Sequence, residues 1–407
     1  LIEAVILLGG LAAATFAVLG ALAAIVGLYL FALTLAAFFY REPPRGASPH
    51  SRLTVLVPAH DEAVLVQQCV AALAAQDYPA DLFETVVIAD NCTDNTEPLA
   101  RAAGARTLVR HAPDSRGKGQ ALRWAMDELL ARSDPPDAFV VVDADSVADR
   151  GMLTALSGAL ERGADAVQAD YLVLPGSTSA RVELRAVAFL LFHRVRFAGR
   201  SVLGLPCALV GNGMLLSRGL LERCPWDAFT GAEDLEYSLT LRLNDVRPTF
   251  TGAGRIWGPA PAEGRSARVQ RERWEGGRLR ILRSVFPRIL SEIVIRGRFS
   301  LVDCALDLAV PPLGLLTAAV LVGTVCGVGL VVGGVLNPWL LVPWILALGA
   351  LFGHVIGGLV AGGAPRWMYR RLFSAPIFML EKIVGTAAVV RSRHSDRWVR
   401  TDRPSTP

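Results

Sequence analysis

Ala138-Phe-Val-Val-Val-Asp-Ala-Asp145 decides how this chain is read. An unbroken apolar run of this kind predicts a strand over Ala138–Val142 that is covered on both faces, as in a parallel sheet. The run ends on Asp143-Ala-Asp145. Open α/β sheets bind their ligands outside the carboxyl ends of the strands. Period-two geometry lets the two acids point the same way, toward one hard cation. A divalent ion held there could bridge two phosphates and take up charge on a departing diphosphate. For an isolated Asp-x-Asp, a solvated strand end is the plain alternative.

Upstream, the same punctuation recurs. Thr54-Val-Leu-Val-Pro58 predicts a strand and Val64–Ala75 a helix. Thr85–Ala89 predicts a second strand ending on Asp90-Asn91-Cys92-Thr93-Asp94, followed by a helix over Thr96–Ala103. A short strand at Thr107–Arg110 and a helix at Gly119–Arg132 complete the alternation. Strands that are apolar throughout, alternating with helices, imply an α/β domain with a Rossmann-like, mostly parallel sheet. Pro58, Asp90 and Asp143 then fall at its carboxyl edge. Neither Gly-x-Gly-x-x-Gly nor a P-loop is present, so both of those phosphate cradles are missing.

Three further stretches carry chemistry. Arg116-Gly-Lys118-Gly opens a helix, and flexible glycine beside two cations suits a diphosphate, although a solvated turn would look the same. Gly231-Ala-Glu233-Asp234 offers two neighbouring acids. Asp234 suits a general base for a hydroxyl, the alternative being acids that favour a helix N-terminus. Gln270-Arg-Glu-Arg273-Trp274 combines an amide, a guanidinium and a broad aromatic face, suited to anions and sugar rings. An interfacial basic helix with a Trp anchor is its alternative.

Composition sets the surroundings. Only 19% of the 407 residues are charged while 52% are hydrophobic, against roughly 25% charged in ordinary soluble domains. The apolar excess is concentrated. Leu1–Tyr40 has Glu3 as its single acid and exceeds the roughly 20 residues a span needs. Residues 306–336 and 340–362 predict two more spans, joined by a turn at Asn337-Pro338. Interfacial helices are expected at 286–304 and 366–391, the latter with a further span as the minority case, before a cytosolic tail at 392–407. Arginines crowd beside these blocks, among them Arg41, Arg45, Arg366, Arg370 and Arg371, which marks the cytoplasmic side. Ser177–Leu205, studded with arginines, predicts either a helix in the headgroup layer or one packed within the domain. Residues 51–180 show no basic stripe, so nucleic acid is not an expected partner. The six cysteines form no metal-ligand spacing and read as free thiols in a reducing compartment.

Taken in order, Pro58…Glu62, Asp90, Lys118, Asp143-Ala-Asp145, Glu233-Asp234 and Gln270-Arg-Glu-Arg273-Trp274 resemble the family 2 glycosyltransferases of GT-A fold. The likeness is to the membrane-integrated branch with cellulose, hyaluronan and poly-N-acetylglucosamine synthases, and it covers a domain at roughly residues 52–285. It implies that Pro58, Ala59, Asp61, Glu62 and Asp90 hold the nucleoside, and that Lys118 sits near it or the diphosphate. Asp143 would approach the nucleotide and Asp145 would ligate Mg²⁺ or Mn²⁺. Glu233 and Asp234 would be the catalytic pair, with Asp234 the base of an inverting transfer. Gln270, Arg273 and Trp274 would cover the diphosphate and the acceptor end. Cys207 and Gly211-Asn212-Gly213 would line the acceptor site. The resemblance also implies a nucleotide-sugar donor, a glycan or lipid-linked acceptor, contact with membrane lipids, and a cytosolic domain at a bacterial inner membrane. A homo-oligomer or a separate exporter would carry a polymeric product. Single-sugar transfer to a lipid is the enzymatic alternative, and a non-catalytic transporter or scaffold subunit is the alternative of another class.

Overall fold

The computed structural model describes residues 2–43, 49–176, 179–259 and 265–376, the stretches 2–8 and 265–275 by backbone alone. The elements begin with α1 (Ile2–Ala37), β1 (Leu53–Ala59), α2 (Val66–Ala74), β2 (Phe83–Asp90), α3 (Thr96–Ala102) and β3 (Arg106–Arg110). They continue with α4 (Lys118–Leu130), β4 (Ala138–Val141), β5 (Val147–Ala148), α5 (Met152–Glu161) and β6 (Ala166–Val173). Next come α6 (Ala180–Phe189), a π-helical turn at Leu190–Val195, α7 (Arg196–Val202), β7 (Met214–Ser217) and α8 (Arg218–Arg223). Then follow α9 (Glu233–Leu243), β8 (Thr249–Gly258), α10 (Arg265–Val294) and α11 (Val302–Ala309). The last are α12 (Leu313–Val332), α13 (Val342–Ala361) and α14 (Arg366–Arg371). The chain forms two compact units. Among the described residues, one comprises 2–40, 179–203 and 306–376, the other 41–43, 49–176, 204–259 and 265–305.

The second unit is an eight-stranded sheet of order β3-β2-β1-β4-β7-β6-β8-β5. β3, β2, β1 and β4 run parallel, β7 is antiparallel to both β4 and β6, and β8 is parallel to β6. The sheet is therefore α/β and mixed, with parallel pairing across the half that begins the domain. The run Phe139-Val-Val-Val142 is completely buried, and alternate residues serve opposite layers. Val140, Val142 and Ala144 pack with Cys69 and Leu73 of α2 and Met152 and Leu156 of α5. Phe139 and Val141 pack with Leu122 and Met126 of α4 and Tyr237 and Leu241 of α9. Continuing that parity past Val141 aims Asp143 at the layer of α4 and α9. Chain order reverses between β1 and β4, the switch point at which such sheets leave a crevice.

In the first unit, three stretches are long and apolar enough to cross a membrane: Gly9–Ala37, Leu313–Val332 and Pro338–Ala361. The apolar block expected at 306–336 is divided. Pro311-Pro312 separates α11 from α12, because proline supplies no helical N–H and its ring disfavours helix in the residue before it. The 286–304 stretch is no separate helix at its start; α10 runs through Pro287 to Val294. Of the interfacial helix expected at 366–391, α14 and a short turn to Ser374 are seen; residues beyond 376, including the expected tail, lie outside the described residues. Within Ser177–Leu205 the described residues form α6, the π-helical turn and α7, which belong to the apolar unit rather than to the α/β domain. The α-carbon of Gly199 on α7 approaches the Leu33 carbonyl of α1 so closely that any Cβ would stand 1.9 Å from the oxygen.

Candidate active site

The antiparallel entry of β7 beside β4 brings Gly211-Asn212-Gly213 to the Asp143 turn. The Gly213 N–H donates to Val141 O at 2.8 Å, and the Gly213 carbonyl accepts from Ala169 N–H at 2.8 Å. Asn212 between them is fully buried. Its Oδ1 accepts from the Asp143 N–H at 3.1 Å and its Nδ2 donates to Ser146 Oγ at 2.8 Å. Gln168 on β6 donates to the Asn212 carbonyl at 2.8 Å and accepts from Val210 N–H at 3.0 Å. Asn212 is thus a brace for the Asp143–Ser146 turn. Expected to line the acceptor site, the Asn212 side chain has no exposure and engages both amide atoms within this turn.

The charged cluster assembles on that brace. Lys118, at the start of α4, donates from Nζ to Asp143 Oδ1 at 2.5 Å and to Gly211 O at 2.6 Å, and lies 4.0 Å from Glu233 Oε1. Gly211 adopts φ +74°, which favours glycine. A Cβ there would stand 3.3 Å from both Asp234 Oδ2 and Lys118 Nζ. Asp143, Lys118, Glu233 and Asp234 therefore surround one point. Burial, then the Glu233 charge, pushes the Asp234 carboxyl up to about 7, with Asp143 adding to the rise and the Leu235 N–H and Lys118 opposing it. For Lys118, burial works against the charge, yet Asp143, Glu233 and Asp234 outweigh it and hold the ammonium above its ordinary value.

Asp145 completes the acidic pair. Its field, with that of Asp143, is felt by two groups absent from the sequence expectations. Burial, then Asp143 and Asp145, drives the Tyr171 phenol upward against a hydrogen bond with Asn212. Burial, then Asp145 and Asp143, does the same to the Cys69 thiol. Two neighbouring carboxylates that offer only hard oxygen donors fit Mg²⁺ or Mn²⁺.

On the other side of the switch point, Pro58 is half-buried and Ala59 buried at the end of β1. Asp61 has φ +53° and accepts from Thr93 N–H at 2.6 Å and Thr93 Oγ1 at 3.1 Å. Burial would raise its pKa, but these hydrogen bonds hold it below the usual value. The Glu62 N–H donates to Thr96 Oγ1 at 2.7 Å. Asp90 ends β2 at the same edge, two strands from Asp143, and pairs with Arg110 of β3 at 2.6 Å while Asn91 Nδ2 donates to it at 2.9 Å. The structure therefore gathers Asp143, Asp145, Lys118, Glu233 and Asp234, and sets Asp90 apart in its own ion pair. Cys207 is buried, with its N–H on Pro248 O. Gln270, Arg273 and Trp274 lie on the first turns of α10, but their side chains are outside the described residues. Gln168, a polar residue within the buried run of β6, was the sequence signal for the Asn212 brace.

The sequence model described as "Glycosyltransferase like family 2" matches residues 49–277, and the chain belongs to this family. The matched residues are those of the α/β domain described above. A probable glycosyltransferase, YdaM, from Bacillus subtilis is 25% identical over 233 residues, covering 56% of this chain and 55% of the relative. The chain thus spans about half the length of that curated relative. Among solved structures, the mannosyltransferase PcManGT from Pyrobaculum calidifontis, in complex with GDP-Man and Mn²⁺, is 21% identical with a TM-score of 0.47, covering 84% of this chain and 99% of that one. Glucosyl-3-phosphoglycerate synthase from Mycobacterium tuberculosis, in complex with Mn²⁺, UDP-glucose and phosphoglyceric acid, is 21% identical with a TM-score of 0.39, covering 56% and 79%.

Proposed function

We propose that this chain is a membrane-integrated, inverting glycosyltransferase that moves a sugar from a nucleotide-sugar donor, UDP-linked by resemblance, to a hydroxyl of a membrane-associated glycan. The observation that carries the reading is the convergence of Asp143, Lys118, Glu233 and Asp234 around Gly211 at the sheet's switch point. Asp234 is the general base: its raised pKa leaves it basic enough to accept a hydroxyl proton near neutrality, help typically worth about 10²- to 10⁴-fold. Glu233 sustains that basicity by like charge. Lys118 stands ready to exchange its contact with Asp143 for a donor phosphate. Asp145, with Asp143 beside it, would hold Mg²⁺ or Mn²⁺, which when bound offsets charge on the diphosphate. Arg273 and Trp274 complete the diphosphate and acceptor walls in the family resemblance, as Pro58, Ala59, Asp61, Glu62 and Asp90 complete the nucleoside side. The arginine-rich flanks of the spans support a cytosolic domain, and Gln270-Arg-Glu-Arg273-Trp274, through the family resemblance, favours a surface or exopolysaccharide product.

The test is donor turnover by the detergent-purified chain with Mn²⁺ or Mg²⁺ across UDP- and GDP-sugars, followed by product sizing. A ladder of products supports polymerisation, whereas one added sugar supports the lipid-acceptor alternative. Asp234→Asn should lower transfer at least about 10²-fold and leave nucleotide affinity nearly unchanged. Wild-type turnover in that variant removes Asp234 from the mechanism.

A further inference from the structure

Gly276 and Gly277 interrupt the 30-residue helix α10, where almost any other residue would be a better helix former. The structure gives a reason at 277. A Cβ there would lie 3.0 Å from Ala232 Cβ, 3.3 Å from Ala232 N and 3.5 Å from the Gly231 carbonyl carbon. Ala232 is buried and directly precedes Glu233 and Asp234 at the start of α9. The same loop is met elsewhere by Gly119, next to Lys118, where a Cβ would stand 2.1 Å from Ala228 O. Between these two helices, the N–H groups of Phe229 and Thr230 both donate to Glu236 Oε2 at 3.0 Å.

We propose that Gly277 is a positioning residue for transfer: its bare α-carbon lets α10 press against Ala232, fixing the catalytic acids in reach of Lys118. The inference rests on Asp234 as the base. A methyl at 277 requires the Ala232 contact to give by a few tenths of an ångström, and a shift of Ala232 carries Glu233 and Asp234, which follow it directly, out of place. Such a misplacement is felt in kcat, while donor affinity, set elsewhere in the cleft, is spared.

The experiment compares Gly277→Ala, Ala232→Gly and the double variant in the full-length, detergent-purified chain, reading kcat, donor KM and melting temperature. Gly277→Ala is expected to lower kcat about three- to tenfold, since a full ångström of misplacement can cost about 100-fold and the contact calls for a few tenths. Its donor KM should stay close to wild type and its melting temperature should not fall, because alanine favours the helix. The double variant removes the nearest clashing atom and should recover most of the loss, glycine being acceptable at a helix start. Full kcat in Gly277→Ala, an unrescued loss in the double variant, or a loss explained by unfolding each overturns the proposal. Asp234→Asn, assayed alongside, separates the two readings. An active Asp234→Asn defeats the base assignment, whereas an inactive one beside a fully active Gly277→Ala defeats the positioning role alone.

Discussion

At the scale of single residues, Asp234 makes pH the most direct probe of the site. The free-enzyme profile of kcat/KM reports the pKa of the essential base. With Asp234 pushed up to about 7, kcat/KM should fall tenfold per pH unit below that value. Lys118 favours the ionised carboxyl, so Lys118→Gln should move the acid limb to higher pH as well as lowering the plateau. A limb near pH 4, or one unmoved by the substitution, would show that another group governs the profile. Linkage has the opposite sense to an ordinary ion-paired acid. The unfolded chain releases this proton near the ordinary carboxyl value of 3.8 and the folded chain only at about 7. The contribution of Asp234 to stability is therefore greatest at low pH and declines as pH rises from about 4 to 7. The acids themselves are legible in the sequence because each sits where an apolar run stops or a helix starts. Asn212 is not, since the letters Gly-Asn-Gly look the same whether the amide faces a sugar or braces a turn. The distinction depends on Ser146, Gln168 and the Asp143 N–H, brought together only by the sheet.

Among elements, the legible ones are those whose burial is uniform. β1, β2 and β4 are apolar on both faces, and short unbroken apolar runs closed by turn residues read as buried strands; α2, α3 and α4 fall within a few residues of expectation. The four-residue β7 was not anticipated, because Met214-Leu-Leu-Ser217 is too short to announce a direction, and pairing with β4 and β6 makes it antiparallel. The stretch around α6 and α7 is ambiguous for a different reason: its arginines suit the headgroup layer or a packed interior equally. The structure supplies the counter-ion. Arg196 and Arg200 are almost wholly buried, and both contact Asp307 Oδ1, Arg200 at 2.9 Å. Arg200 also donates to Tyr29 Oη at 2.5 Å, tying α7 to α1 and α11. Removing one partner of a buried ion pair typically costs about 3–5 kcal/mol. Asp307→Ala should accordingly lower the melting temperature of the detergent-purified chain, with Asp307→Asn losing less. Thermal shift measurements that find both variants as stable as wild type would show that the arginines have adequate partners without this carboxylate.

The whole molecule combines an ordinary α/β interior with a unit whose surface is apolar. Leu321, Val322, Val325, Val328 and Val332 on α12 are all exposed, as are Ile345, Leu346 and Phe352 on α13. In water such a surface would drive association; in a bilayer it is the appropriate boundary. Cysteine chemistry tests which solvent these helices meet. All six cysteines are free; Cys69, Cys207, Cys224 and Cys304 are buried, Cys92 is half-buried, and Cys326 on α12 is exposed. By exposure alone Cys326 should react first with a charged, membrane-impermeant maleimide. If α12 spans the bilayer, lipid covers that thiol and keeps the charged reagent away from it. In intact membrane vesicles, Cys326 should therefore stay unlabelled on both sides, then react rapidly once the membrane is dissolved in denaturant. A Cys326→Ser variant identifies the band or mass shift that belongs to it. Prompt labelling of Cys326 in sealed or permeabilised vesicles would place the sulfur in water, and α12 could not then be a membrane span.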